Sequence, residues 1–239
     1  MDPDYHAKFA IHEATREGKT SEVESLLNAN PKLAVLRDGD DRLPIHWAAA
    51  YNQLPIARLL ASQKKFDPDV TDSSGWTPLM IAASLKDNEG RPMIELLLQK
   101  GADVNLKSAT GQNAIHFAAS KSNTDIVRTL ISNECSARVR DNRGQLALHR
   151  AAAIGSVPIL NILLREGRSP LNATDVDGLT ALHHAISEGH GEAALVLLRA
   201  GAEVDKRDNE GRLAIDLAPD IKVRKYIIQA AEREGIELP

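Results

Sequence analysis

Histidines, paired acids and one thiol are the residues of this chain with the chemistry to form a site. Eight histidines and 33 acidic residues among 239 could supply metal ligands, and a His beside Cys135 would suggest an activated nucleophile. Spacing argues against both. His12, His46, His116, His149 and His183 recur at one interval, with Met80 and Asp216 completing the series. The successive steps are 34, 34, 36, 33, 34 and 33 residues. Side chains one period apart in a repeating structure lie one above another, too far apart to share an ion. His183-His184 and His190 have no CxxC or HExxH context. Cys135 has no His at a regular spacing and reads as a packed thiol. Asp40-Asp41 falls in a turn, where two carboxylates stay solvated and do not form a desolvated acid–base pair. The sequence contains no phosphate-cradling Gly loop, nucleophile elbow or dinucleotide fingerprint. No cofactor, metal or catalytic residue is expected, and the chain does not read as an enzyme.

Composition narrows the classes further. A net charge of −4 lacks the basic excess of a nucleic-acid binder, and 43% hydrophobic residues is ordinary for a globular chain. No run of about 18 apolar residues occurs, so no membrane partner is expected. "MDPDYHAKFAIHEATREGK" lacks the basic-then-apolar order of a secretory leader, and a single cysteine fits a reducing compartment. The sequon Asn172-Ala173-Thr174 is then a chance match in a polar turn.

The elements that place the histidines form seven similar units. "AIHEA", "PIHWA", "PLMIA", "AIHFA", "ALHRA", "ALHHA" and "AIDLA" begin at Ala10, Pro44, Pro78, Ala114, Ala147, Ala181 and Ala214. In the best copies Asp-x-x-Gly comes first, a turn signal: Asp72–Gly75, Asp141–Gly144, Asp175–Gly178 and Asp208–Gly211. The spacing predicts a short Ala-rich helix, a loop, and a second helix carrying paired leucines. That second helix closes on Gly101-Ala102 or Gly201-Ala202, with Gly suited to the left-handed C′ position. One such helix pair cannot bury its apolar face alone, so neighbours must stack. The units span about 5–37, 38–71, 72–107, 108–140, 141–174, 175–207 and 208–239. The motif histidines are expected to bond turn backbone and tie adjacent units together. The end units are irregular, as caps and a complete array would be. Unit three carries three extra residues in "SLKDNEGRPMIELLL", expected to be neutral for stacking.

This pattern resembles the ankyrin repeat, whose T-P-L-H-x-A hallmark is matched by Thr77-Pro78-Leu79-Met80-Ile81-Ala82. The resemblance implies an all-α ankyrin-repeat solenoid: one array over 1–239 of seven helix-turn-helix repeats with β-turn fingers. Its exposed variable positions include the post-Gly tips Arg42, Trp76, Gln112, Gln145, Leu179 and Arg212. First-helix ends fall at Tyr51, Leu85, Lys121, Ile154 and Glu188. The acidic turn "DGDD" beside Arg42 and Trp76 reads as a partner surface, since aromatics and arginines dominate interface energetics and acids steer basic partners. Trp47, in a slot where the repeat commonly buries an aliphatic, reads as core.

Four strings, "DGDDRLPIHWAAA", "DSSGWTPLMIAAS", "AIHFAASK" and "LHRAAAIGSVPILNILL", resemble the gankyrin family. That resemblance implies an assembly chaperone of the proteasome regulatory particle, cytoplasmic and nuclear, monomeric when free. It would bind the C-terminal domain of one proteasomal AAA ATPase subunit along a concave face and hinder premature docking on the core particle. By motif, Asp38, Asp40 and Asp41 would meet partner bases. Arg42 and Lys121 would meet partner acids, and Asp72 and Trp76 share the face. Tyr51 and Arg150, the latter in "HRAAA", complete the expected partner-binding set. Ser73 departs from the family's second acid, and "ALHHAISEGH" lacks a Leu-x-Cys-x-Glu string, so retinoblastoma-protein binding is not implied. The other reading is a generic ankyrin adaptor for a different cytosolic or nuclear partner.

Overall fold

Proline or alanine opens five first helices, each only six or seven residues long, because the motif's Ala-rich segment is bounded by turns on both sides. The computed structural model describes the backbone of residues 3–239 and side chains from Phe9 onward. Its α-helices are α1 (Pro3–Arg16), α2 (Thr20–Ala29), α3 (Pro44–Ala50), α4 (Leu54–Ala61), α5 (Pro78–Ala83), α6 (Arg91–Gln99) and α7 (Ala114–Ser120). They continue with α8 (Thr124–Ser132), α9 (Ala147–Ala153), α10 (Val157–Arg165), α11 (Ala181–Ser187), α12 (Gly191–Arg199) and α13 (Ile221–Arg233). Among the described residues the only β pairing is two isolated bridges, Thr174 with Thr180 and Arg207 with Leu213.

The motif histidine starts its own helix. His46 Nδ1 accepts the Leu43 N–H, and His149 Nδ1 accepts the Leu146 N–H, both at 3.0 Å. Each thereby satisfies one of the orphan donors at a helix N-terminus. With Nδ1 accepting, Nε2 carries the proton. It reaches forward 24 residues, to the Val70 carbonyl at 3.1 Å from His46 and the Ala173 carbonyl at 3.0 Å from His149. These bonds tie the helix start to the end of its own repeat, while His12 and His116 reach the next repeat, at the Arg42 carbonyl (3.2 Å) and the Gln145 carbonyl (3.1 Å). Where Met80 fills the slot, the Thr77 hydroxyl accepts the Met80 N–H instead. Asp216 caps Leu213 in repeat seven.

Second helices bury one face at helical spacing. The buried set is Ile56, Ala57, Leu60 and Ala61 in α4, Met93, Ile94 and Leu97 in α6, and Ile126, Val127 and Leu130 in α8. Gly101 and Gly201 hold φ of +87° and +89° at the predicted C′ positions. The chain packs as two compact units, Met1–Ala114 and Ile115–Pro239. In the first, α3 lies between α1 and α5, and α4 between α2 and α6. In the second, α9 packs on α11, α10 lies between α8 and α12, and α13 closes on α12.

The irregular repeats have local causes. Helix α1 breaks at Phe9 (φ −107°, ψ 17°). In repeat seven, Ala214–Leu217 forms a single 3-10 turn, because Pro219 disfavours helical backbone just before it. The insertion in repeat three changes how its two helices are linked. Elsewhere the residue before the second helix donates its N–H to a first-helix Ala carbonyl: Gln53 to Ala48, Asn123 to Ala118, Ser156 to Ala151, His190 to Ala185. In repeat three the Ala82 carbonyl accepts the Leu85 N–H, as Ala118 also accepts Lys121, and Gly90, just before α6, sits against that carbonyl.

Candidate functional site: the acidic fingers and the aromatic cleft of the first repeats

Each finger is a closed turn built on its leading residue. Asp38, Asp72, Asp141, Asp175 and Asp208 donate backbone N–H to the carbonyl four residues on, as Ser108 does in repeat four. The Oδ1 of each Asp accepts the N–H groups two and four residues ahead: Asp40 and Arg42, Ser74 and Trp76, Arg143 and Gln145, Asp177 and Leu179, Glu210 and Arg212. The left-handed corner is a Gly in most fingers and Asp41 (φ +59°) in repeat two. Neighbouring fingers join through backbone. Ser73 N–H donates to Asp40 O and Ala109 N–H to Ser74 O, while in the second unit Val176 N–H donates to Arg143 O, all at 3.0 Å.

The second carboxylate oxygen varies from repeat to repeat. Asp38 Oδ2 accepts Trp47 Nε1–H at 2.6 Å, and Asp72 Oδ2 accepts Arg42 Nε–H at 3.1 Å. Asp141 Oδ2 accepts Arg150 at 2.8 Å. Asp175 Oδ2 is shared by Gln145 at 3.1 Å and His184 at 2.9 Å. Partial burial alone would raise the Asp38 carboxyl. The bonds from Arg42 N–H, Trp47 and Asp40 N–H, with the nearby His12, hold it net below the ordinary carboxylate range. Asp141 and Asp175 are lowered by the same balance, with burial opposed chiefly by Gln145 N–H and Arg150, and by Gln145 and His184. These acids are ionised structural anchors at neutral pH.

A cluster of cations and aromatics gathers at the first two repeats. Arg16 and Arg42 guanidinium carbons lie 5.3 and 5.2 Å from the Trp47 ring centroid, and Arg16 is 5.8 Å from Tyr51, all within cation–π range. Trp47 and Tyr51 rings are 6.0 Å apart. Beside them opens a cleft of about 420 Å³, lined by Phe9, His12, Glu13, Arg16, Asp38, Gly39, Asp40 and Trp47. Trp47, already faced by two guanidiniums, walls the cleft, and Glu13, Asp38 and Asp40 set negative charge opposite Arg16, a mixed lining suited to an amphipathic side chain.

The predicted residues fall into three groups. Asp40, Asp41, Tyr51 and Lys121 are exposed. Asp38, Arg42, Trp76 and Arg150 are half-buried, and the side chains of Arg42 and Arg150 are each held by a finger acid. Asp72 is 7% exposed, so its carboxylate holds Arg42 from behind. Asp38, Asp40, Asp41, Arg42, Tyr51, Asp72 and Trp76 lie in the first unit, Lys121 and Arg150 in the second. Trp47 corrects the sequence reading: it is half-buried, at the cleft, and not core. Its indole N–H needs a polar partner, and Asp38 nine residues back provides one. Arg16 was missed. A basic residue four positions before "TSEVESLL" signals nothing until the fold sets it over Trp47. Among the described residues no group of three or more His, Cys, Asp or Glu is placed to hold a metal. None of their helices is long and apolar enough to cross a membrane.

Comparison with known proteins agrees with the repeat anatomy. The family pattern described as "Ankyrin repeats (3 copies)" matches residues 11–108, 86–174, 115–208 and 148–231. The chain is 35% identical over 228 residues to the Saccharomyces cerevisiae protein named "Probable 26S proteasome regulatory subunit p28", covering 93% of this chain and 98% of that one. The chain belongs to the gankyrin family of ankyrin-repeat proteins. An ankyrin repeat-containing protein of Schizosaccharomyces pombe is 33% identical over 217 residues, covering 90% of this gankyrin-family chain and 92% of the relative. The human ASB11 ankyrin repeat domain superposes with a TM-score of 0.81 at 21% identity, over 96% of this chain and 97% of that one. The Bcl-3 ankyrin repeat domain gives 0.75 at 22%, over 91% and 96%. These two likenesses concern the fold alone.

Proposed function

We propose that this gankyrin-family protein is an assembly chaperone of the proteasome regulatory particle. It binds the C-terminal domain of one proteasomal AAA ATPase subunit through its finger tips and first-helix ends, and hinders premature docking on the core particle. The observation that carries this reading is the near full-length similarity to a protein named as a proteasome regulatory subunit. The cleft supports it, since it offers the aromatic and arginine chemistry of an interface hot spot behind exposed acids.

In this reading Asp40 and Asp41 meet partner bases and Tyr51 and Trp47 supply apolar contact. Within the first unit Arg42, braced by Asp72, meets a partner acid, and within the second unit Lys121 meets another. Trp76 joins the contacts of the first unit and Arg150 those of the second. The protein acts in cytoplasm and nucleus as a monomeric, non-catalytic binding partner. Affinity for the isolated ATPase C-terminal domain tests the assignment. Trp47→Ala, Trp76→Ala and Arg42→Glu should each weaken binding about tenfold or more; unchanged affinity in all three sinks the assigned face. An affinity-purified eluate without proteasomal ATPases would favour the generic adaptor.

A further inference from the structure

The first unit carries a second concavity that shares no lining residue with the Trp47 cleft. It is a trough of about 480 Å³, a size typical of sites that engulf a small ligand or one to two large side chains. One bank is the 3-10 turn Pro31–Val35, the other the loop from Gln63 to Val70 after α4. Its floor is Leu43, Ile45 and Leu60, each no more than 4% exposed. Val35, 59% exposed, and the half-buried Phe66 form apolar lips.

Charge on the rim is one-sided. Lys32 stands on the first bank and Lys64 and Lys65 on the second, all exposed. Asp67 is the single acid of the lining, and its Oδ1 is turned back to accept the Asp69 N–H at 2.9 Å. An apolar floor between two cationic banks matches a ligand that is apolar in the middle and anionic at both ends. A single-headed amphiphile would satisfy one bank only. A peptide strand with acids flanking large apolar side chains satisfies both.

We propose that this trough is a second protein-docking site, taking an acidic peptide segment that inserts one or two large apolar side chains between Lys32 and the Lys64-Lys65 pair. Because the two concavities have separate linings, the chaperone would hold such a segment while its finger face is occupied. The site does not rest on the proteasomal reading, since its evidence is the trough alone.

Fluorescence anisotropy of the full-length protein with a labelled Asp-Glu-Leu-Phe-Glu-Asp peptide is the test. Saturable binding is expected, weakened about tenfold or more by the double substitution Lys32→Glu with Lys64→Glu and retained when both become Arg. Ala34→Trp, which fills the trough without adding charge, should abolish binding while circular dichroism and the unfolding midpoint hold. The proposal is overturned by absence of saturation up to about 1 mM peptide, or by binding indifferent to the charge reversals. Decanoate that binds more tightly and displaces the peptide would also overturn it, because that places a lipid in the trough. If Trp47→Ala abolished peptide binding while Ala34→Trp did not, the peptide would lie in the finger cleft and the second site would fall.

Discussion

Trp47 and Asp38 are joined at 2.6 Å from indole N–H to Oδ2, and the same nine-residue step joins Arg150 to Asp141 and His184 to Asp175. Each finger acid spends one oxygen on closing its own turn. In these three fingers the other meets the residue just after the motif slot, whereas Asp72 gives it to Arg42 and Asp208 to Arg212. A donor just after the motif slot becomes that partner, so indole, guanidinium and imidazole occupy one structural position.

Trp47→Phe separates the indole's two jobs. The ring surface and its stacking with Arg16, Arg42 and Tyr51 survive, and the bond to Asp38 is lost. A lost bond to a charged acceptor costs about 1–3 kcal/mol, nearer the low end here because Asp38 is only half-buried. Urea unfolding should show that loss, while affinity for the ATPase C-terminal domain falls less than in Trp47→Ala. Equal affinities for the two variants would mean that the ring face contributes nothing to binding.

Arg150→Ala should be among the more damaging surface-facing substitutions. The Asp141 side chain is 3% exposed and the Arg150 side chain 28%. Removing the guanidinium leaves a largely buried carboxylate with its turn bonds alone. Breaking a fully buried pair costs about 3–5 kcal/mol, and discounting for the exposed arginine leaves about 2 kcal/mol. Arg150→His, which copies the donor of repeat six, should recover part of that in a denaturant titration. If Arg150 also touches the partner, Arg150→His will bind more weakly at nearly unchanged stability.

The repeat period, the turn signature, the C′ glycines and the tying histidines were legible because each is a local rule repeated many times over. The side-chain partners of the fingers were not. Asp72 reads as a surface acid from its turn position, and only packing shows Arg42 bonded across thirty residues with that carboxylate behind it. Trp47 was misplaced for a related reason. Its position is core in a typical repeat, but an indole has an N–H that must find an acceptor, and the fold offers Asp38 at the mouth of a cleft. Arg16 and the lysine-rimmed trough depend on contacts between repeats, which periodicity does not encode.

Acid should loosen the fold before the carboxylates titrate. Burial, and then the neighbouring His184, push the His149 pKa from 6.5 down to about 4. Burial also lowers His12, His46 and His183. With the folded value depressed, the unfolded chain takes the proton first as pH drops below 6.5. Stability is full above that pH and is lost down to about 4, on the order of 2–3 kcal/mol for His149 alone. Asp38, Asp141 and Asp175 add further loss only below about 3.8, the ordinary Asp value. The pair Leu146→Thr with His149→Met copies the arrangement at Thr77 and Met80. It should flatten the stability slope between pH 6.5 and 4. An unchanged slope would show that His149 is not one of the titrating groups.

Two glycines should fail for different reasons when given a methyl group. Gly101 holds φ +87° with open space around the missing Cβ, so Gly101→Ala meets only the left-handed penalty of about 1–2 kcal/mol. Gly101→Asn should cost less, since Asn tolerates that conformation. Gly90 has the opposite constraint. Its φ of −73° suits any residue, but a Cβ would lie 2.0 Å from the Ala82 carbonyl oxygen, which is backbone and cannot swing aside. Gly90→Ala must therefore push the start of α6 away from α5, at about 3 kcal/mol or more. Gly90→Asn should be no better than Ala. Thermal unfolding of the four variants tests the contrast. Rescue of Gly90 by Asn would mean that backbone conformation, and not the close approach created by the three-residue insertion, is what requires glycine there.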